Sequence, residues 1–128
     1  MIVLDTHAWL WHVAATERLS ARARAAVEEA DQLGVCAISC WEVAMLERRG
    51  RIALDRDVRD WIGRALSVDR VLPLALSPEI AVDAALMPDE FPGDPADRIV
   101  YATARAHGAR LVTKDAALRR YDARTTVW

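Results

Sequence analysis

Five carboxylates stand where the surrounding sequence gives them chemical work. Asp94 and Asp97 lie three residues apart in Gly93-Asp94-Pro95-Ala96-Asp97-Arg98. Asp5 closes the apolar run Ile2-Val3-Leu4, Glu42 follows Ser39-Cys40-Trp41, and Asp115 follows Leu111-Val112-Thr113-Lys114. Each has two readings. As a residue at the start of a helix, a carboxylate accepts a free backbone N–H and faces the positive end of the helix dipole. As part of a cation site, it supplies a hard oxygen ligand. Asp5 directly after three apolar residues is costly unless paired or metal-bound. Glu42 sits in a stretch that stays largely apolar through Leu46, again a poor place for a lone charge. Converging carboxylates repel one another and raise their own pKa values until a cation joins them. An all-oxygen set selects Mg²⁺ or Mn²⁺ over zinc or copper. Such an ion binds a phosphate oxygen, lowers the pKa of a bound water and offsets charge on a leaving oxygen, which is the chemistry of phosphodiester hydrolysis.

Other chemistries find less support. His7, His12 and His107 are scattered with no serine or cysteine partner in a nucleophilic pattern, and they read as structural or solvent-facing. No glycine-rich phosphate loop is present. Cys36 and Cys40 lack a second Cys or His pair at zinc spacing and read as small buried residues of a reducing, cytoplasmic protein.

The elements that must position the acids follow from short apolar runs alternating with helical patterns. Ile2–Leu4 reads as a buried strand and Leu19–Leu33 as an amphipathic helix stopped by Gly34. Val35–Ile38 is a second strand, after which Ser39 and Glu42 match a capping box for a helix running to Arg49. Val58–Leu66 is helical, Val71–Leu74 is brief and extended, a third strand candidate that Pro73 weakens, and Ser77-Pro78-Glu79 opens a helix through Leu86. Asp94 and Pro95 open another to His107, stopped by Gly108. Leu111–Thr113 is a fourth strand, Ala116–Tyr121 a short helix, and Thr125–Trp128 a last edge strand.

Strand–helix alternation predicts an α/β fold, a three-layer α/β/α sandwich around a mostly parallel sheet of four to five short strands. Ligands then sit beyond the carboxyl ends of the strands, where Asp5, Glu42 and Asp115 fall. Asp94 and Asp97 open the helix that feeds the fourth strand, and bringing them to that edge asks for a special crossing.

The 128 residues read as one domain, 1–128, large enough to bury a core without disulfides. No apolar run is long enough to span a bilayer, and the apolar N-terminus lacks a basic leader. The net charge is −2, with arginine supplying all the positive charge except Lys114. That balance argues against a protein that coats nucleic acid, though not against one that reaches phosphate through a cation.

Asp-Thr-His-Ala-Trp-Leu-Trp at 5–11, Ser-Cys-Trp-Glu-Val-Ala at 39–44, Asp-Pro-Ala-Asp-Arg at 94–98 and Leu-Val-Thr-Lys-Asp at 111–115 resemble the PIN domain. In particular they resemble the VapC-type ribonuclease toxins of type II toxin–antitoxin systems, over nearly the whole chain from residue 2 to Tyr121. The resemblance implies a Mg²⁺- or Mn²⁺-dependent endoribonuclease with Asp5, Glu42, Asp97 and Asp115 as its acidic residues, and selectivity for single-stranded RNA is the expectation set beside it. Asp94 becomes a further metal ligand or only a cap. Thr6, Ser39 and Thr113 match hydroxyl positions beside the acids, where they support ligands or orient water. The resemblance also implies a VapB-type antitoxin that lays a basic group among the carboxylates, and a homodimer. Trp9, Trp11, Trp61 and Trp128 are candidates for core or interface.

The sequence departs from relatives that carry a Lys near Leu46. Arg48, Arg49 and Arg51 stand as replacements or as a solvated helix end, and Arg98 as a phosphate contact or a partner for Asp94. Two rivals are a non-catalytic domain of the same scaffold that docks a basic peptide, and a HAD-type phosphatase with Asp5 as nucleophile. The second wants another Asp at position 7, where His7 stands.

Overall fold

The computed structural model describes residues 1–128. Its strands are β1 (Ile2–Leu4), β2 (Leu33–Cys36), β3 (Val71–Leu74), β4 (Arg110–Val112) and β5 (Thr126–Val127), in the order β3-β2-β1-β4-β5. Every pairing is parallel. The helices are α1 (Thr6–Ala14), α2 (Ala21–Glu29), α3 (Ala37–Arg48), α4 (Val58–Leu66), α5 (Pro78–Ala85), α6 (Pro95–Ala106) and α7 (Ala116–Tyr121), with a 3-10 turn at Thr16–Arg18.

Side-chain alternation along the strands builds two cores. Ile2, Leu4, Leu33, Val35 and Val112 face one layer, where Trp9, Val27, Val43 and Trp61 cover them. Val3, Cys36, Leu74 and Leu111 face the other, under Val100, Tyr101 and Leu118. Because both faces of the sheet are covered at its centre, β1 and β2 are buried along their whole length and carry no polar side chain. The second layer is thickened by α5, which packs Ile80 and Ala84 against Ala102 of α6. The expected α/β/α sandwich is thus present, with five strands.

Two local expectations do not hold. The helix expected over Leu19–Leu33 ends at Glu29, after starting where Ser20 accepts from Ala23 N at 3.1 Å. Leu33 and Gly34 belong to β2, paired with Ile2 and Val3 of β1. Gly34 is no helix stop: a Cβ there would lie 2.7 Å from Leu74 Cδ1 and 3.2 Å from Val3 Cγ2, so the residue allows close packing over the sheet. The capping box expected at Ser39 and Glu42 is also absent. The helix has begun by Ala37, directly after β2, and no side chain caps it. Ser39 lies inside its first turn, fully buried.

No special crossing is needed to bring Asp94 and Asp97 to the strand ends. α6 ends at Ala106 and β4 starts at Arg110, so the chain reverses within three residues, helped by Gly108 at φ +59°. A helix that runs back into a parallel strand starts at that strand's carboxyl end. The chain steps outward from β1 to β3 on one side and then returns to β4 on the other, so the sheet's topological switch point lies between β1 and β4. No helix is long and apolar enough to cross a membrane.

Candidate active site

At that switch point opens a cavity of about 980 Å³, lined by all five acids. Each is fixed by its own element. Asp5 leaves β1, donates its N–H to Val112 O at 3.0 Å, and caps α1 by accepting from Ala8 N at 2.7 Å. Asp115 leaves β4, donates its N–H to Thr113 Oγ1 at 3.1 Å and caps α7 by accepting from Leu118 N at 2.8 Å. Asp94 and Asp97 form a reciprocal capping box on α6, with bonds of 2.9 and 3.1 Å. Gly93 makes room for it, since a Cβ there would meet Asp97 Cβ at 2.6 Å and Phe91 Cε1 at 2.7 Å.

Glu42 is held differently. Thr6 Oγ1 lies 2.5 Å from Glu42 Oε1 and 3.0 Å from Ser39 Oγ. One hydroxyl carries one proton, so Thr6 donates to the carboxylate and Ser39 in turn donates to Thr6. This relay, with Thr6 and Ser39 both buried, replaces the capping box expected from the sequence. Thr113, directly after β4, buttresses Asp115 and Asp5. All three hydroxyls therefore stand beside the acids.

The caps and the cation-site reading are not alternatives. Glu42 Oε1, Asp97 Oδ2 and Asp115 Oδ1 are tied to the protein, and the second oxygen of each has no protein partner. Electrostatics shows the cost of gathering them. Burial raises the pKa of Asp5, opposed by the Thr113 hydroxyl and the Ala8 N–H and helped by Asp115. Burial also raises Glu42, opposed by Thr6 and helped by Asp94 and Asp5. Asp97 is pushed up to about 7, mainly by burial and then by Asp94 and Glu42. Three acids thus hold their protons more tightly than free carboxylates, the state a divalent ion would relieve. As they stand, no three acids are close enough to form a ready-made ion site.

Other expectations are corrected or refined here. Arg98 meets neither the acids nor open groove: its guanidinium donates to the carbonyls of Met87 and Pro88 at 3.0 and 3.2 Å, beyond the end of α5, and lies over Phe91. Arg48 and Arg49 are exposed at the end of α3, whereas Arg51 lines the cavity. Cys36 is buried, its thiol pushed up to about 12 by burial, and Cys40 is half-buried; both are free. His7 and Trp11, one turn apart on α1, also line the cavity, as do Arg18 and Lys114. His7, Trp11 and Ala14 follow helical spacing along α1, which is the signal in the sequence for this wall, and Arg18 joins them from the 3-10 turn beyond it.

Comparison with known proteins places this arrangement. The family model described as "PIN domain" matches residues 2–124. The chain belongs to the PIN-domain family. It is 44% identical over 129 aligned residues to Ribonuclease VapC22 of Mycobacterium tuberculosis, covering 99% of this chain and 98% of that protein. Among solved structures, a toxin–antitoxin complex from Klebsiella pneumoniae superposes with a TM-score of 0.71 at 19% identity, covering 100% of this chain and 97% of that one. The VapBC2 structure from Rickettsia felis bound to a promoter DNA fragment gives 0.67 at 15% identity, covering 98% and 97%. At those identities the superpositions establish the PIN fold, and the VapC22 relationship places this PIN domain close to the VapC-type toxins.

Proposed function

We propose that this PIN domain is a Mg²⁺- or Mn²⁺-dependent endoribonuclease and the toxin of a type II toxin–antitoxin pair. The observation that carries the reading is the convergence of Asp5, Glu42, Asp97 and Asp115, from four elements, on one cavity where burial and mutual repulsion raise the pKa of three acids. The 44% identity to a protein named a ribonuclease supports the reaction class.

The donor set fits a hard divalent ion, being all carboxylate oxygen with one oxygen of each group already anchored. Mg²⁺ keeps several waters and binds through one or two carboxylates plus substrate phosphate, so a pre-collapsed triad is not required. When bound, the ion supplies a more acidic water and charge stabilisation on the phosphate. Asp5, Glu42, Asp97 and Asp115 would hold that ion, one or two directly and the others through its waters, and Asp94 would offer its free oxygen as an additional ligand. Thr6 and Ser39 fix the Glu42 rotamer, and the Thr113 hydroxyl bonds Asp5 and the backbone N–H of Asp115. The whole chain acts as one domain. A VapB-type antitoxin would place a basic group in the same acidic groove, a charge-assisted substitute for the ion. The toxin itself is a homodimer in this reading.

The test is cleavage of defined single-stranded and tRNA-like RNAs with Mg²⁺, Mn²⁺ or EDTA. Wild type should cut only with metal, and Asp97→Asn, folded by circular dichroism, should not cut. Cleavage that survives EDTA or this substitution would overturn the assignment.

One observation favours a second reading, a non-catalytic PIN domain that docks a basic peptide: the acids do not form a closed ion site. Calorimetric titration with Mn²⁺ separates the two, since the docking reading requires no metal uptake.

A further inference from the structure

The cavity has a second pole that the acids do not explain. Three cations line it, Arg18, Arg51 and Lys114. None forms an ion pair, although five carboxylates share the cavity; the ion pairs of the molecule involve Met1, Arg56 and Arg64 instead. None donates a side-chain hydrogen bond either, unlike Arg70 and Arg98, which are tied to backbone carbonyls. Arg18 and Lys114 are gathered around one ring. The Arg18 guanidinium lies 4.6 Å and the Lys114 ammonium 5.3 Å from the centre of Trp11. Trp11 is half-buried and packs against Trp128 at 5.7 Å between ring centres. A half-buried tryptophan that holds two exposed, unpaired cations on the rim of an acid-lined cavity is an anion site kept apart from its neighbouring carboxylates.

The geometry points to Trp11, Arg18 and Lys114 as a positioning clamp for backbone phosphates of single-stranded RNA flanking the one held at the acid pole. This rests on the nuclease reading and adds to it the path of the substrate, along α1 from Asp5 toward the turn at Thr16–Arg18. Phosphate is the fitting occupant because a partner that answers the acids with basic groups meets like charge here. Phosphates spaced along a strand satisfy both poles, one through the metal and the next through the cations. Trp11 acts through the two cations and is a positioning residue, not a catalytic one.

The experiment measures affinity for a fluorescein-labelled single-stranded RNA that wild type is first shown to cut, in EDTA, over a range of salt. Each single-strand phosphate contact contributes about 0.7 to the slope of log K against log salt. Lys114→Gln and Arg18→Gln should each lower the slope by about 0.7 and weaken binding about fivefold at 0.1 M salt. Trp11→Leu removes no charge, yet should lower the slope as well, because both cations lose their platform; Trp11→Phe should restore it. Arg22→Gln, at the opposite edge of the sheet, should leave the slope unchanged. Unchanged slopes in Lys114→Gln and Arg18→Gln, both exposed and safe to substitute, would overturn the clamp while metal-dependent cutting by wild type left the nuclease reading intact. If wild type cuts no RNA with metal, the nuclease reading fails first and the clamp with it.

Discussion

Asp97 concentrates the electrostatic strain of the molecule. Its carboxyl titrates near 3.8 in an unfolded chain and near 7 when folded, so between these values the native state holds the extra proton. Stability therefore falls as pH rises through that window and levels off above it, and the upward shifts of Asp5 and Glu42 act in the same direction. The metal-free protein should lose about 5 °C in Tm between pH 5 and pH 8 by scanning calorimetry. Asp97→Asn should flatten that slope and raise Tm at pH 8, while Mg²⁺ should recover stability at high pH by binding the ionised acids. A pH-independent Tm in metal-free wild type would contradict this account. Thr6 offers a second handle. Thr6→Val keeps the shape but leaves Glu42 without its donor and Ser39 without its acceptor, so RNA cleavage should fall about 10- to 100-fold with the fold retained. That relay was not legible in the sequence. The spacing of Ser39 and Glu42 satisfies a local capping rule, and only a tertiary contact spanning 36 residues, Thr6 to Glu42, overrides it. The acids themselves were legible, because a carboxylate after a buried strand is conspicuous on desolvation grounds alone.

At the scale of elements, the site is built from helix starts. Asp5, Asp94 and Asp115 each cap a helix with one oxygen, so the same residues end a loop, start a helix and line the cavity. For Asp94 the two duties can be separated. Asp94→Ala should cost about 1 kcal/mol of stability, whereas Asp94→Ser, an equally good cap, should not. Both should bind Mn²⁺ more weakly by titration calorimetry, since both lose the free oxygen; unaltered binding in Asp94→Ser would leave the residue as a cap alone. Elements with clear local signals are legible in the sequence: Val58–Leu66 is present as expected, and the helix that Asp94 and Pro95 open, expected to reach His107, ends at Ala106 with His107 as its cap. The Leu19–Leu33 stretch was over-extended because its alanine-rich pattern fits a helix equally well. Parallel pairing with β1 decides that Leu33 and Gly34 are strand, and pairing partners are not written locally.

For the molecule as a whole, the sandwich was legible from strand–helix alternation, while the switch point that unites the acids depends on strand order, which alternation does not specify. The outer surface carries a clue to assembly. Val82 and Leu86, one turn apart on and just beyond α5, are 56% and 76% exposed. If this stripe is the contact of the proposed homodimer, Val82→Glu with Leu86→Glu should halve the mass seen by light scattering without loss of helical signal; an unchanged mass would move the interface elsewhere. The order of strands in space also has a consequence in time. β1, the first strand to be synthesised, is the centre of the sheet and takes one neighbour from residues 33–35 but the other only from residues 110–112. Asp115 follows that second neighbour. A growing chain that stops short of β4 owns Asp5, Glu42 and Asp97 but has no floor between β1 and Asp115 on which to assemble them. The acidic cavity is therefore completed only when the last stretch of chain emerges, so the order of the strands in space makes this site one of the last features of the molecule to form.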